Sequence, residues 1–280
     1  MDTRPKREAI GKAYASYHTH ADGQASYATD NGTSLLWRIS NGYMNARFGA
    51  MRKPSVATGR CVMPWLPPLR QQLDYFYRHL PSRRGRLLDV GCGNGVFLLR
   101  AKAAGWLVQG VEPDPIAAEA ARGAGLSVFN GTLDAFDTSA QFDAITSSHV
   151  IEHVHEPRAF VSQLFDRLRP GGFVWLATPN ATSLGHRRYG EAWRGLEPPR
   201  HITVLTPKAL RALLLGAGFT SVRAHRRGRG SRYILQTSAE LSCRMGRQVP
   251  PLSHWWVDGL ATISPYLSEE LVMSARKESD

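Results

Sequence analysis

The sequence predicts an α/β protein: a mostly parallel sheet of seven strands, helices on both of its faces, a helical extension before it and an insert ahead of the last strand. Three observations predict it. From residue 86 onward, short apolar runs alternate with helical stretches, the rhythm of strand–helix–strand units. The first run, Leu87-Leu88-Asp89-Val90, empties into the turn Gly91-Cys92-Gly93-Asn94-Gly95, and the helix behind that turn offers unpaired N–H groups to whatever lies beyond the strand. Polar side chains then fall at or just after strand ends, at Asp89, Glu112 and Ser147-Ser148-His149, where parallel sheets collect their ligands.

Residues 1–80 read as the extension, packed on the main domain as a lid. Their first thirty or so positions are polar and carry an aromatic–histidine cluster, Tyr14, Tyr17, His18, His20 and Tyr27. Leu35, Leu36 and Ile39 mark one helix. Leu69, Leu73, Phe76, Tyr77 and Leu80, near helical spacing, mark another over 67–80, ended by Pro81 and Ser82-Arg83-Arg84-Gly85. The main domain, 81–280, opens with strand 86–90 and helix 96–104. Strand 106–111 follows with Glu112 at its end, then helix 116–123, strands 126–130 and 142–147, helix 157–168 and strand 172–177. Helix 207–217, strand 220–225 and strand 270–275 complete it. The insert, 228–268, holds Pro250-Pro251 and the apolar group Trp255, Trp256, Val257, Leu260 and Ile263. Tryptophan is usually highly buried, so this group reads as core or lid packing; an interfacial surface for lipid or a partner is the alternative.

Composition places limits on function. With 42% hydrophobic and 21% charged residues, the chain can bury a sizeable core. No run approaches the roughly 18 apolar residues of a spanning helix. The N-terminus shows no apolar signal region. Cys61, Cys92 and Cys243 are widely spaced with no CxxC pair, which suits a reducing compartment; the cytoplasm is the expected location. The net charge of +12 comes mostly from dispersed arginines, concentrated only in the N-terminal tail and at 226–232. A solvated basic surface is favoured over a nucleic-acid partner, and peripheral membrane contact stays open. Oligomeric state is not legible.

The glycine turn alone also fits a dinucleotide site, with Glu112 as its ribose acid. Asp89, two residues before the first glycine, separates the readings. A carboxylate there repels a pyrophosphate and attracts a ligand carrying an ammonium and a sulfonium. S-adenosylmethionine is therefore the expected cofactor.

Asp89-Val90-Gly91-Cys92-Gly93-Asn94-Gly95 resembles the first motif of the class I methyltransferases, which have a Rossmann-like fold. Gly110-Val111-Glu112-Pro113-Asp114 resembles their acidic second motif, Phe142-Asp143-Ala144-Ile145-Thr146 their fourth strand, and Leu168-Arg169-Pro170-Gly171-Gly172 the turn before the fifth. Thr178-Pro179-Asn180, the stretch from Trp193 to His201 and Ala217-Gly218-Phe219 are similar to a bacterial subgroup near the ubiquinone O-methyltransferases. The resemblance implies roles. Gly91 and Gly93, with Cys92 and Asn94 between and after them, would pass beneath the methionine part of the cofactor, with Asp89 near its amino group. Glu112, followed by Pro113, would accept both ribose hydroxyls. Thr132, Leu133 and Asp134 would border the adenine, and Ser148 and His149 the methyl donor.

His149-Val150-Ile151-Glu152-His153 also spells the HxxEH of inverted zincins, but it directly follows a strand instead of lying on a helix. The ubiquinone enzymes resemble it with Glu-x-x-Glu-His, a group implicated there in metal binding; here His149 replaces the first glutamate, and no metal is expected. Methyl transfer to a hydroxyl needs a proton acceptor. His149 and His201 are the candidates, with His18 and His20 behind them, and Arg200 could orient an anionic group. The expected reaction is O-methylation of a small-molecule, glycan or lipid-linked acceptor. RNA or DNA methylation, C- or N-methylation of a small metabolite, and a non-catalytic binding role are the alternatives.

Overall fold

The structure, a computed structural model, describes residues 34–279. Tyr14, Tyr17, His18, His20 and Tyr27, and with them positions 1–33 of the expected lid, lie outside the described residues. Strands β1 (Arg86–Val90), β2 (Leu107–Glu112), β3 (Val128–Asn130), β4 (Phe142–Ser148), β5 (Leu168–Pro179), β6 (Thr220–Ala224) and β7 (Glu270–Arg276) form a seven-stranded sheet in the order β3-β2-β1-β4-β5-β7-β6. β1 pairs in parallel with β2 and β4, β2 with β3, while β6 and β7 run antiparallel. The chain travels outward from β1 to β3 and then returns to the other side of β1 with β4. That reversal makes a topological switch point at the carboxyl end of β1, where open parallel sheets bind ligands.

The described residues divide into two compact units. One holds 34–147, 166–175 and 277–279; the other holds 148–165 and 176–276.

In the first unit, helix α1 (Leu35–Phe48) starts at Ser34, whose hydroxyl accepts from the Trp37 N–H at 3.2 Å, and stops at Gly49, which takes the left-handed conformation. The short α2 (Gly59–Val62) approaches α1 closely. A Cβ at Gly59 would lie 2.1 Å from the Ile39 carbonyl oxygen, so only glycine fits. Helix α3 (Pro67–Phe76) is held to α1 by the Tyr43 hydroxyl donating to Asp74 at 2.6 Å, and the Phe48 ring stacks on Tyr77 at 4.6 Å. α3 ends four residues earlier than its apolar spacing predicts because Arg78 and His79 both adopt positive φ and turn the chain. Helices α4 (Val96–Ala103) and α5 (Pro115–Gly123) follow β1 and β2. Leu87, Leu88, Leu98, Ala144, Ile145, Val174 and Trp175 are fully buried, as expected for parallel strands covered on both faces. β5 begins at Leu168, ahead of the expected Gly172, because Lys277 pairs its backbone with Gly171 and Gly172 at 3.0 Å each.

The second unit carries α6 (Pro157–Asp166, in its greater part), α7 (Leu184–Tyr189) and α8 (Pro207–Gly216), and the insert folds as two helices, α9 (Ser231–Arg244) and α10 (His254–Ile263). Their core gathers Tyr189, Ala192, Trp193, Leu235 and Val257. Buried Glu269 ties this core together, accepting from Trp193 Nε1 at 2.7 Å, the Gly185 N–H at 2.8 Å and Ser183 Oγ at 3.1 Å. One expectation fails here. Trp255 and Trp256 are not core residues: each is 73% exposed. Val257 and Ala261 take the inward face of α10, and Trp255 and Trp256 project from the opposite side.

Candidate functional site

The glycine turn is tied to β2 by the N–H groups of Gly91 and Cys92, which donate to the Val111 carbonyl at 2.8 and 3.2 Å. Gly91, Gly93 and Gly95 all have positive φ, which costs glycine little and other residues considerably. The Gly93 N–H donates to Glu112 Oε2 at 2.7 Å, and the Asp114 N–H donates to the other oxygen at 2.9 Å. Asp114 in turn caps α5 through the Ile116 N–H. Glu112 is thus a buried carboxylate of fixed orientation. Burial raises its pKa, against the two backbone donors. A Cβ built on Gly93 would meet nothing within 4 Å, so the turn presents open space on that side. Cys92 points into the sheet instead: a Cβ at Gly110 would come within 2.5 Å of its sulfur. Burial pushes its thiol pKa up, leaving it an inert packing group.

Asp89 is completely buried. Its Oδ1 accepts from Thr146 Oγ1 at 2.9 Å and forms an ion pair with Arg78 Nη1, which also donates to Thr146 at 3.0 Å. Its Oδ2 is buried and has no hydrogen-bond partner. Burial raises the Asp89 carboxyl to about 6, opposed by Arg78 and Thr146. Arg78 reaches inward through the two left-handed residues after α3, with its guanidinium 3.8 Å from the Phe97 ring centre and 5.4 Å from that of Trp175. His79 receives the Trp175 Nε1–H at 3.2 Å. An unpartnered buried oxygen, an open glycine face and an oriented carboxylate at the next strand end fit a ligand that combines an ammonium with vicinal hydroxyls.

Of the other expected cofactor contacts, Leu133 is buried, Asn94 half-buried, and Pro113 and Thr132 exposed. Arg167 fixes the loop that carries Thr132 and Leu133, donating through Nη2 to the Leu133 and Phe136 carbonyls at 3.0 Å each.

His149, His153 and His201 belong to the second unit. Half-buried Ser148 ends β4, and His149 follows with positive φ. His149 Nδ1 lies 3.1 Å from Glu152 Oε1, and Nε2 lies 2.5 Å from Glu270 Oε1. Burial opposes charge on the ring, yet the two carboxylates prevail and hold its pKa well above the ordinary value. His149 is an imidazolium with both protons engaged. Glu152 also accepts from Thr178 Oγ1 at 2.9 Å, and Arg227 pairs with the second oxygen of Glu270.

His201 differs. Its Nδ1 is 2.7 Å from the Gly195 carbonyl, so that nitrogen carries the proton and Nε2 keeps its lone pair. Nε2 lies 3.6 Å from Glu197 Oε2. Burial lowers the His201 pKa to about 4, and the ring is neutral at pH 7. His153 donates similarly to the Arg200 carbonyl at 3.0 Å, and its ring centre is 4.8 Å from that of His201. The Arg200 guanidinium pairs with Glu197. Glu152, His153 and His201 bring ligating atoms within 4.8 Å of one another and could hold a divalent ion. His149 is outside this set. It sits at a strand end while His153 closes a single 3₁₀ turn, Ile151–His153, so the two do not share a helix face.

Arg78, Thr146 and Glu270 escaped sequence reasoning. Arg78 is one of 35 basic residues and nothing local singles it out. Glu269-Glu270 did carry a signal: two acids heading an otherwise apolar strand need buried partners.

Residues 65–224 match the family described as "Methyltransferase domain". The chain is 30% identical over 108 residues to the mitochondrial ubiquinone biosynthesis O-methyltransferase of Schizosaccharomyces pombe, covering 35% of this chain and 39% of that protein. It is 33% identical over 125 residues to the ubiquinone biosynthesis O-methyltransferase of Xylella fastidiosa, covering 42% and 50%. The chain thus spans half or less of these relatives. Among solved structures, Haemonchus contortus phosphoethanolamine N-methyltransferase 2 in complex with S-adenosyl-L-methionine matches with a TM-score of 0.54 at 17% identity, over 86% of this chain and 60% of that one. An S-adenosylmethionine-dependent methyltransferase from Mesorhizobium loti matches with 0.51 at 19%, over 74% and 97%. These two likenesses show a shared fold. No helix among the described residues is long and apolar enough to cross a membrane.

Proposed function

Because this chain belongs to the class I S-adenosylmethionine-dependent methyltransferases, we propose that it methylates an oxygen of a small-molecule, glycan or lipid-linked acceptor. The observation that carries the reading is the arrangement at the ends of β1 and β2: Asp89 with an unpartnered buried oxygen, Gly93 open, and Glu112 locked by two backbone donors. When bound, S-adenosylmethionine supplies an electrophilic methyl group on a sulfonium. Asp89 Oδ2 takes the ammonium of the methionine part, in a buried setting where the attraction is strong. Glu112 accepts both ribose hydroxyls with the lone pairs its backbone donors leave. Gly93 allows the close approach, and Leu133 and Thr132 border the adenine.

An oxygen nucleophile has to lose a proton. We assign its removal to His201, which is neutral and has an unprotonated Nε2. His149 cannot accept a proton while both ring nitrogens donate to carboxylates; its part is to hold Glu152 and Glu270 in place. The relatives named for ubiquinone O-methylation support an oxygen acceptor. The three cysteines are free, which supports the cytoplasm as the compartment.

Isothermal titration with S-adenosylmethionine tests the cofactor half. Each charge-assisted hydrogen bond is worth about 1.5–3 kcal/mol, so Glu112→Ala and Asp89→Ala should each weaken binding at least about tenfold. No binding by the intact chain, or unchanged binding by both variants, sinks the proposal. S-adenosylhomocysteine release with hydroxyl acceptors tests the other half. An RNA or DNA acceptor would show itself instead by binding that falls steeply with salt.

A further inference from the structure

The insert between β6 and β7 presents an apolar surface that the methyl-transfer reading leaves unused. In α10, Val257 and Ala261 are buried, whereas Trp255, Trp256 and Ile263 are each more than 70% exposed, and Leu260 is partly exposed. At about 100° per residue, Trp255, Trp256, Gly259, Leu260 and Ile263 fill one arc of about 140°. No charged residue falls within that arc. The one acid of the helix, Asp258, lies outside it and accepts from the Ser231 N–H at 3.1 Å. Ser231 Oγ also donates to the His254 carbonyl at 3.3 Å. These two bonds fasten the start of α9 to the start of α10. Exposed Arg229, Arg232 and Tyr233 all lie within two residues of Ser231, at the end of α9 that these bonds fasten to α10. Between positions 223 and 263 there are seven arginines and only two acids, Glu240 and Asp258.

We propose that α10 docks this protein on an anionic lipid surface. Trp255 and Trp256 enter the headgroup boundary, Leu260 and Ile263 follow, and the arginines at the start of α9 meet lipid phosphates. Tryptophan prefers the interface because its ring is apolar and its N–H still needs a polar partner. A helix with an apolar face and a basic margin lies in that plane, and arginines near the surface add attraction to anionic lipid. Charge complementarity selects the occupant: an uncharged aromatic and aliphatic arc, with exposed arginines on the segment fastened to the same helix, fits an anionic bilayer, while nucleic acid would find no cation in the arc. The proposal is independent of which acceptor is methylated.

Co-sedimentation of the full chain with phosphatidylcholine vesicles, with and without roughly 30% phosphatidylglycerol, is the test. The expected result is binding to the anionic vesicles, a blue shift of tryptophan fluorescence on binding, and weakening by salt. The double variant Trp255→Ser/Trp256→Ser, with an unchanged melting temperature, should bind at least about tenfold more weakly. No binding to anionic vesicles by the wild type, or equal binding by the double variant, overturns the proposal. Self-association, or RNA binding, that is abolished by the double variant while vesicle binding is absent assigns the face to another occupant and equally overturns it.

Discussion

Replacing Arg78 by methionine isolates the ion pair beneath the glycine turn. Methionine keeps an apolar chain against Phe97 and Trp175 but removes the guanidinium paired with Asp89. Breaking a buried pair costs about 3–5 kcal/mol when the orphaned charge has no escape. Asp89 has one. Its pKa is already about 6 with Arg78 present, and burial, the largest cause, acts unopposed by the guanidinium once it is gone. The carboxyl pKa therefore climbs further, and Asp89 is protonated over a wider pH range. The sign follows. A carboxyl whose folded pKa exceeds its unfolded value contributes stability that is complete below the unfolded pKa and disappears as pH rises through the folded pKa. In the wild type this loss is finished soon above pH 6. In Arg78→Met it continues above pH 6 by about 1.4 kcal/mol per pH unit until the new pKa is passed. The measurement is urea unfolding of both proteins at about pH 5 and about pH 8. The destabilisation should be larger at the higher pH by more than about 1 kcal/mol. A difference that is the same at both pH values would refute the reasoning, because it would mean that Arg78 contributes only packing.

His201→Gln should lower turnover of an oxygen acceptor at least about a hundredfold with cofactor affinity unchanged; wild-type turnover in this variant would move the proton acceptor elsewhere. Because the His201 pKa is about 4, no fall in rate from this group is expected as pH drops from 8 to 6. His225, whose pKa burial and Arg223 lower to about 4, makes acid unfolding steeper. The unfolded chain binds this proton near pH 6.5 and the folded chain only near 4, so stability falls as pH drops between those values, by up to about 3–4 kcal/mol. His225→Gln should shift the acid midpoint to lower pH, measured by circular dichroism; an unchanged midpoint counts against that burial.

The alternating strands and helices were legible because each parallel strand is buried on both faces and so reads as a short apolar run between turn signals. The Gly91–Gly95 turn was legible because positive φ at three alternate positions leaves few residues but glycine. Glu112 was legible through its spacing from that turn. Element ends were less so: β5 gains residues from Lys277, a partner more than a hundred positions away, and α3 stops where Arg78 and His79 adopt a conformation that no local residue signals.

By itself, then, the sequence determined the order of the elements, the glycine turn and the two acids that follow β1 and β2, since periodicity and backbone conformation are local properties. Only the tertiary structure decided the state of each ionisable group. Asp89 is held by Arg78 and Thr146, His149 is clamped between Glu152 and Glu270, and His201 is left neutral beside the Gly195 carbonyl. It also decided that Trp255 and Trp256 face outward. Charge state and exposure depend on neighbours distant in the chain and on the water they displace, and no local pattern of residues records either.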